Sequence, residues 1–189
     1  VVVYGLLLKA TTGLSPGILR SKMRRVWAFA FSTASSGATL PITLRTVEKR
    51  LGVPKSVAGF AIPLGATVNM DGTAIMQGVA TVFIAQVYGI ELSAMQLLMV
   101  ILTATLASIG TAAVPGVGLI TLSLVLTQAG LPVEGVALII GVDRLLDMIR
   151  TAVNVTGDAT VATIVAYREG QLDETVYNDP DADSDMASE

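Results

Sequence analysis

The longest uncharged stretch restricts the fold of this chain more than any other feature. From Leu92 to Val133 there are 42 consecutive residues without Asp, Glu, Lys or Arg, and about 20 such residues already indicate a membrane segment. The composition agrees, since 52% of the 189 residues are apolar and only 14% are charged. We therefore predict an all-α membrane protein rather than one soluble domain.

The centre of this stretch, Ser108–Gly118, is a poor helix former, because it contains Gly110, Pro115 and Gly116 and ends in a glycine. The flanking arms, Ser93–Ala107 and Leu119–Leu131, have 15 and 13 residues. At about 1.5 Å per residue each arm reaches roughly 20 Å, less than a hydrocarbon core of about 30 Å. We predict that residues 93–130 form a re-entrant helical hairpin, which enters and leaves on one side.

Eight of the twelve basic residues are predicted to occupy two short loops, which the positive-inside rule assigns to the cytoplasm. They are Arg20, Lys22, Arg24 and Arg25 in one loop, and Arg45, Lys49, Arg50 and Lys55 in the next. The apolar segment between them would then start and finish on the same side. Residues 24–46 are therefore predicted to form a second re-entrant hairpin, called hairpin one, and residues 93–130 are called hairpin two. Because these bases flank apolar segments, they do not indicate a nucleic-acid partner.

Two segments are long enough to span, residues 56–88 and residues 134–167, and the first is interrupted at Asn69–Thr73. The order of hairpin, broken helix, hairpin and polar helix, with opposite entry sides, is typical of the inverted repeats of secondary transporters. We interpret residues 1–19 as the end of a truncated transmembrane helix and residues 20–170 as a transport domain. Residues 171–189 are predicted to be an acidic, disordered cytoplasmic tail, since eight of the fifteen acids lie in the last 21 residues.

Residue types that are missing exclude several chemistries. The chain contains neither Cys nor His, so disulfides, thiolate catalysis, Cys/His zinc sites and a Ser-His-Asp triad are excluded. We expect no enzyme activity and no cofactor other than co-transported cations.

The last predicted helix carries a polar face. On a helical wheel Asp143, Asp147, Arg150, Asn154 and Asp158, together with Thr151, fall within an arc of about 100°. Ionisable groups at membrane depth are costly and have to face protein, water or one another. One interpretation is a structural ion pair between Asp147 and Arg150.

The other interpretation of this face is binding. The planar guanidinium of Arg150 suits a carboxylate, and Asp147 one turn earlier can pair with an ammonium group. Asn154 and Asp158 offer hard oxygen ligands of the kind that alkali cations prefer.

A second oxygen-rich cluster interrupts the first spanning segment. An Asp at mid-membrane, flanked by Asn69 and Gly72, predicts exposed carbonyls and a carboxylate at Asp71, which together suit a cation. The alternative is a helix kink with a satisfied Asp71. The Ser- and Gly-rich tips at Ser35–Gly37 and Ser108–Thr111 would add amides, hydroxyls and carbonyls, although each tip alone could be a simple turn.

These residues resemble the dicarboxylate/amino acid:cation symporter family, which includes acidic amino-acid transporters. The resemblance covers nearly all of residues 1–170 and rests on four motifs: SSGATLPIT at Ser35–Thr43, PLGATVNMDGTA at Pro63–Ala74, ASIGTAAVPGVG at Ala107–Gly118 and DRLLDMIRTAVNVTGDA at Asp143–Ala159. It implies the C-terminal half of an elevator-type, homotrimeric carrier of aspartate or glutamate in the cell membrane, with hairpin two as outer gate. Sodium would be the coupling ion.

The resemblance also implies roles for individual residues. It places the substrate side-chain carboxylate on Arg150, its amino group on Asp147 and its α-carboxylate near Asn154. The complete implied substrate set is Ser35, Ser36, Thr73, Val114, Gly118, Asp147, Arg150, Thr151 and Asn154. The implied sodium set is Gly65, Thr67, Asn69, Met70, Asp71, Ser108, Ile109, Thr111, Asn154 and Asp158.

Two departures from the family pattern and several alternatives accompany this prediction. Archaeal members carry arginine where this chain has Ala34, and Arg144 is a candidate to supply that charge. A proton-coupled glutamate carrier or a C4-dicarboxylate carrier is the nearest alternative. Asp147 argues against a plain dicarboxylate, because such a substrate carries no ammonium group for it to pair with. An intramembrane aspartyl protease with Asp71 and Asp158 as its dyad is a remote alternative, and so is a passive channel.

Overall fold

The computed structural model describes residues 1–182, and within that range the secondary structure is helical with no strand. A single 3₁₀ turn, Val133–Val136, precedes the long helix α8. The α-helices are α1 Val2–Thr12, α2 Pro16–Thr33, α3 Ser36–Lys49, α4 Lys55–Val68, α5 Asp71–Val87, α6 Ala94–Ser108, α7 Val117–Ala129, α8 Ala137–Arg168 and α9 Glu174–Asn178.

Local sequence signals explain where the helices begin and end. The hydroxyl of Ser35 accepts a hydrogen bond from the backbone N–H of Ala38 and so caps the start of α3, and Ser93 with Gln96 forms a capping box at α6. The helix α2 ends at Ala34, which has a φ of 49° although it carries a side chain. This left-handed residue turns the chain back towards α3.

The helix α8 runs through the middle of the fold and packs against α1, α2, α4 and α5. One hydrophobic core is formed by the four helices α1, α2, α3 and α4 together with the C-terminal half of α8, around residues such as Met23 and Val155. A second core joins α5, α6 and α7 with the N-terminal half of α8, around residues such as Leu122 and Ile139. The polar residues of α8 lie between these two cores.

The predicted spanning segments are helical but differ in continuity. The segment 56–88 divides into α4 with 14 residues and α5 with 17, separated at Asn69 and Met70. The segment 134–167 is continuous apart from its 3₁₀ start, and α8 has 32 residues. In residues 1–182, no helix combines the length and the apolar character that crossing a membrane requires.

The prediction of two basic loops is wrong in detail. Arg20, Lys22, Arg24 and Arg25 all lie within α2, which begins at Pro16 rather than near residue 24. Arg45 and Lys49 likewise lie within α3, and Lys55 begins α4. The reason is that Pro16 suits the first turn of a helix, whereas arginine and lysine are good helix formers, so nothing ends the helix between residues 16 and 24.

The prediction of a disordered tail is wrong for residues 171–182. Tyr177 in α9 has no exposed surface, and its hydroxyl donates a hydrogen bond to the carbonyl of Ser15 at 2.9 Å. The backbone N–H of Asp173 donates to the carbonyl of Gly52 at 2.9 Å. We call residues 171–182 the strap. The acidic composition suggested solvation, but one buried tyrosine and backbone hydrogen bonds suffice to dock it; residues 183–189 lie outside the described part of the chain.

Lys22 fastens the strap to the helical domain. Its side chain is only 1% exposed, and its Nζ donates to the carbonyl oxygens of Arg50 at 2.6 Å, Val176 at 2.7 Å and Tyr177 at 2.7 Å. A buried amine with three acceptors satisfies its full donor capacity. This contact joins the ends of α3 and α9 to α2.

Candidate functional site

Four parts of the fold meet around one small polar cavity: the α2–α3 tip, the α4–α5 break, the α6–α7 connection and α8. All nine residues of the predicted substrate set line it, namely Ser35, Ser36, Thr73, Val114, Gly118, Asp147, Arg150, Thr151 and Asn154. The cavity has a volume of about 20 Å³, on the order of the space for one water molecule. The structure thus brings the set together, while the binding role of each residue stays a prediction.

The buried guanidinium of Arg150 is the centre of charge in this cavity. Its Nε donates to Asp147 Oδ1 at 2.9 Å and its Nη1 to Asp143 Oδ1 at 3.1 Å. All three residues are buried: Arg150 is 4% exposed, Asp147 5% and Asp143 7%. The ion pair of the structural interpretation is therefore present, and it lies in the wall of the cavity rather than apart from it.

Asp143 is a site residue whose role the sequence did not indicate. The helical wheel put it on the polar face, seven residues before Arg150, but gave it no function. Two turns of α8 bring it level with the guanidinium once the arginine side chain folds back towards the helix N-terminus, the direction that helical side chains prefer. The i,i+7 spacing of opposite charges was the available signal.

Gly118 in α7 lies directly against the guanidinium. A Cβ added at this glycine would come within 2.6 Å of Arg150 Cζ and Nη1, closer than real Cβ atoms approach. A side chain at position 118 would therefore displace the arginine. The first turn of α7 and the arginine of α8 share one packed surface.

The α2–α3 tip and the α6–α7 connection close the cavity through hydrogen bonds to backbone groups. The Ser35 hydroxyl donates to the carbonyl of Ala113 at 2.7 Å, and the Gly37 N–H donates to the same oxygen at 3.1 Å. On the other side, the Gly116 N–H donates to Asp147 Oδ2 at 2.8 Å. These bonds hold the α6–α7 connection over Arg150, so the cavity can enlarge only if they break.

The first part of the predicted sodium set gathers at the α4–α5 break. The Asn69 amide donates to Asp158 Oδ1 at 2.9 Å, and Asp158 lies so close to Gly65 that a Cβ there would collide with its carboxylate. Asn154 Oδ1 accepts from the Gly72 N–H at 2.8 Å.

Met70 lies in the same group. The Asn154 amide nitrogen lies 3.3 Å from Met70 Sδ. Both residues also line the small cavity, so the group at the α4–α5 break and the cavity are adjacent. We call Asn69, Asp71, Asn154 and Asp158 the oxygen cluster.

The second part of the predicted sodium set lies where the α6–α7 connection meets the end of α4. The Gly110 N–H donates to the carbonyl of Thr67 at 3.0 Å, and the Thr111 N–H donates to the carbonyl of Ser108 at 3.2 Å. Ile109 stands between them and is 49% exposed. A cleft of about 440 Å³ separates this group from Asn69 and Asp71 and opens to the surface.

Tyr4 reaches the oxygen cluster from α1, and the sequence analysis missed it. Its hydroxyl donates to Asp71 Oδ2 at 2.6 Å. The two residues are 67 positions apart, and Tyr4 stands in an apolar stretch that offers no periodic signal. Only the packing of α1 against α8 makes the contact visible.

The carboxyl groups proposed as a protease dyad have separate partners. Asp71 accepts from Tyr4 and Asp158 accepts from Asn69. An aspartyl dyad shares one proton between two close carboxyl groups, and no hydrogen bond joins Asp71 to Asp158 among the described residues.

Arg144 lies at the edge of the site. It is exposed, and its Nη2 lies 3.3 Å from the carbonyl oxygen of Ser32, near the end of α2 and two residues before Ala34. A cation at the C-terminal end of a helix interacts favourably with the helix dipole. Whether it supplies the charge that Ala34 lacks stays a prediction.

A profile of the sodium:dicarboxylate symporter family matches residues 1–168 of this chain. The chain belongs to the sodium:dicarboxylate symporter family. An excitatory amino acid transporter of Caenorhabditis elegans is 53% identical over 164 residues, 86% of this chain and 33% of the relative. Human excitatory amino acid transporter 2 is 52% identical over 143 residues, 76% of this chain and 25% of the relative.

Human excitatory amino acid transporter 1 is 45% identical over 167 residues, which are 88% of this chain and 31% of the relative. This symporter-family chain therefore spans a quarter to a third of the length of the relatives named here. All four motifs of the sequence analysis lie inside the matched range, so the resemblance that they indicated is confirmed at the level of the family.

The donor atoms of this symporter-family site suit sodium. The oxygen cluster offers carboxylate oxygens at Asp71 and Asp158, amide oxygens at Asn69 and Asn154, and backbone carbonyls at the α4–α5 break. Hard oxygen donors of these kinds bind hard cations. Among the described residues, no group of three or more acidic side chains that could hold a metal ion is found.

Proposed function

We propose that this chain is the substrate- and cation-binding part of a sodium-coupled symporter for acidic amino acids such as aspartate and glutamate. The observation that carries the proposal is the buried guanidinium of Arg150 in the wall of a cavity that all nine residues of the predicted substrate set line. The names of the relatives, excitatory amino acid transporters, support the same class of substrate.

Arg150 and Asp147 would divide the recognition of an acidic amino acid. A substrate carboxylate can take the face of the guanidinium that opens to the cavity, in a charge-assisted hydrogen bond. The substrate ammonium can pair with Asp147, whose Oδ2 already accepts from a neutral donor, the Gly116 N–H. Asp143 would keep its contact with Arg150 and hold the guanidinium in place.

Formal charge supports coupling to cations. The cavity and the oxygen cluster together contain four carboxyl groups, at Asp71, Asp143, Asp147 and Asp158, and one guanidinium, at Arg150. An anionic substrate that enters such a site adds to an excess of negative charge, which is costly in a poorly solvated interior. Sodium ions bound at the oxygen cluster would offset that excess, so substrate and sodium should bind together.

Entry of a substrate requires the α6–α7 connection to move. A cavity of about 20 Å³ cannot admit an amino acid, and the contacts of Ala113, Gly116 and Gly110 hold the connection closed. We infer that this connection is the gate, and that α6–α7 and α2–α3 act as the two re-entrant hairpins of an inverted repeat. The pairing of two short helices in each supports this inference.

The remaining features of the parent protein follow from family membership and are proposals. We place the chain in the lipid bilayer of the cell membrane, with the strap on the cytoplasmic side. The support is that seven basic residues lie on the adjoining parts of α2, α3 and α4, and Arg50 directly follows α3. The parent would be a homotrimer in which this part moves as an elevator.

Binding of aspartate to the purified full-length protein tests the proposal. Calorimetry is performed in sodium and then with choline replacing sodium at constant pH. We expect binding in sodium only, loss of that binding in Arg150→Ala, and retention in Arg168→Ala, an exposed arginine at the C-terminal end of the same helix. Equal binding in both salts would exclude sodium coupling and favour protons. No aspartate binding, with binding of a C4-dicarboxylate instead, would overturn the substrate class.

A further inference from the structure

Tyr4 makes the only contact that α1 offers to a carboxylate of the oxygen cluster among the described residues. Its phenol donates to Asp71 Oδ2 at 2.6 Å, a short hydrogen bond to a charged acceptor. The Tyr4 side chain is largely buried, with 9% of the residue exposed, whereas Asp71 on α5 is exposed. The buried partner thus fixes the orientation of the exposed one.

The phenol itself is held by close packing. A Cβ added at Gly157 of α8 would collide with the Tyr4 hydroxyl and with the amide nitrogen of Asn69. Only a glycine at position 157 leaves room for these two groups side by side. Asn69 in turn donates to Asp158 Oδ1, so Tyr4 stands beside both carboxyl groups of the oxygen cluster while it bonds to one.

From this geometry we propose that Tyr4 is a positioning residue for sodium binding. Its hydroxyl holds one carboxylate oxygen of Asp71, so that the other carboxylate oxygen is directed to the cation. The inference rests on the proposed function, since it needs a sodium ion at Asp71. Hydrogen-bonded partners of a ligating carboxylate orient it, and their removal typically weakens metal binding about 10- to 100-fold. Tyr4 is not itself required as a ligand.

Without the phenol, Asp71 has other conformations available. It is the first residue of α5 and is exposed, so its carboxylate can turn towards solvent. The Asp71 side chain would then leave the neighbourhood of Asn69 and Asp158. Sodium binding would then be weakened. The cavity around Arg150 would be unchanged, because Tyr4 does not line that cavity.

Tyr4→Phe in the full-length protein tests this role, with sodium dependence of aspartate binding as the readout. We expect the sodium concentration for half-maximal binding to rise about 10-fold, while the aspartate affinity at saturating sodium stays that of the wild type. Tyr177→Phe is the matched control, because it also removes a buried tyrosine hydroxyl bond, to the Ser15 carbonyl. It should leave the sodium dependence unchanged.

A double-mutant cycle separates positioning from general damage. In an Asp71→Asn background, Tyr4→Phe should have little further effect on sodium dependence, because the carboxylate that it orients is gone. An unchanged sodium dependence in Tyr4→Phe alone, or equal losses in both backgrounds, would overturn the role of Tyr4. Wild-type protein that binds aspartate without sodium would instead overturn the proposed function itself.

Discussion

At the scale of single residues, the contact between Gly118 and Arg150 allows the cavity to be perturbed without removing a charge. Gly118→Ala places a methyl group where Arg150 Cζ and Nη1 now lie, and the guanidinium cannot yield freely because Asp143 and Asp147 hold it. Overpacking of this kind costs about 1–3 kcal/mol. We expect aspartate affinity at saturating sodium, measured by calorimetry, to fall about 10-fold or more.

Gly78→Ala is the matched control for this prediction. Gly78 is also a helical glycine, in α5, but a Cβ added there meets nothing within 4 Å. Both substitutions gain the same helix propensity, roughly 1 kcal/mol, so only Gly118→Ala changes the contact with Arg150. Wild-type affinity in Gly118→Ala would contradict the position assigned to the guanidinium.

At the scale of helices and their connections, sequence patterns predicted the breaks better than the ends. Glycine, serine and asparagine at Ser35–Gly37, Asn69–Thr73 and Ser108–Gly118 are typical of irregular backbone, and the helices do stop at or beside all three. The start of α2 was misplaced because basic residues were interpreted as loop residues. Charge indicates whether a segment faces water or lipid. The start of a helix depends instead on residues such as Ser15 at the N-cap and Pro16 in the first turn.

The strap was missed for a different reason. Its docking depends on Lys22, Gly52 and Tyr177, which are far apart in the chain and together form no motif. Acidic composition over residues 169–189 predicted solvation, and most side chains of residues 169–182 are exposed, yet two or three long-range contacts are enough to order a segment. The contact between Tyr4 and Asp71 was not predicted for the same reason, since the two residues are 67 positions apart.

The docked strap should respond to pH through Lys22. Burial, with the charge of Arg50 adding to it, lowers the pKa of Lys22 from 10.5 to about 8. Between these values a released Lys22 binds a proton that the docked one does not, so rising pH favours the docked state. Burial raises the pKa of Tyr177 to about 12, so its phenol remains protonated over this range.

Hydrogen exchange of the strap amides, relative to the same segment as an isolated peptide, measures this effect. We expect protection of residues 173–182 to increase between pH 7 and pH 9, since the lower of the two pKa values is about 8. Lys22→Met keeps much of the buried stem and removes the titrating group, so its strap should show no such trend. Protection that does not change with pH in the wild type would mean that Lys22 docks as an ammonium ion with its ordinary pKa.

At the scale of the whole molecule, α8 connects the two sites that the proposed function requires. Asp143, Asp147 and Arg150 serve the cavity from its N-terminal half, and Asp158 serves the oxygen cluster two turns beyond Arg150. Asn154 lies between them and contacts both the cavity and Gly72 at the α4–α5 break. One continuous helix thus carries side chains of both sites, and Asn154 contacts both of them.

Coupling between the sites has a thermodynamic consequence that Asp158→Asn can test. If sodium raises the affinity for aspartate by some factor, aspartate has to raise the affinity for sodium by the same factor. Asn at position 158 can still accept the hydrogen bond from Asn69, but it lacks the charge that attracts a cation. We expect the factor to fall by about 5- to 150-fold, the range of common coupling energies, so the aspartate affinity at saturating sodium should fall by that ratio relative to the affinity without sodium. Asp173→Asn, which changes an exposed carboxylate that caps α9, should leave the factor unchanged; equal sodium dependence in Asp158→Asn and wild type would mean that sodium acts elsewhere in the full-length protein.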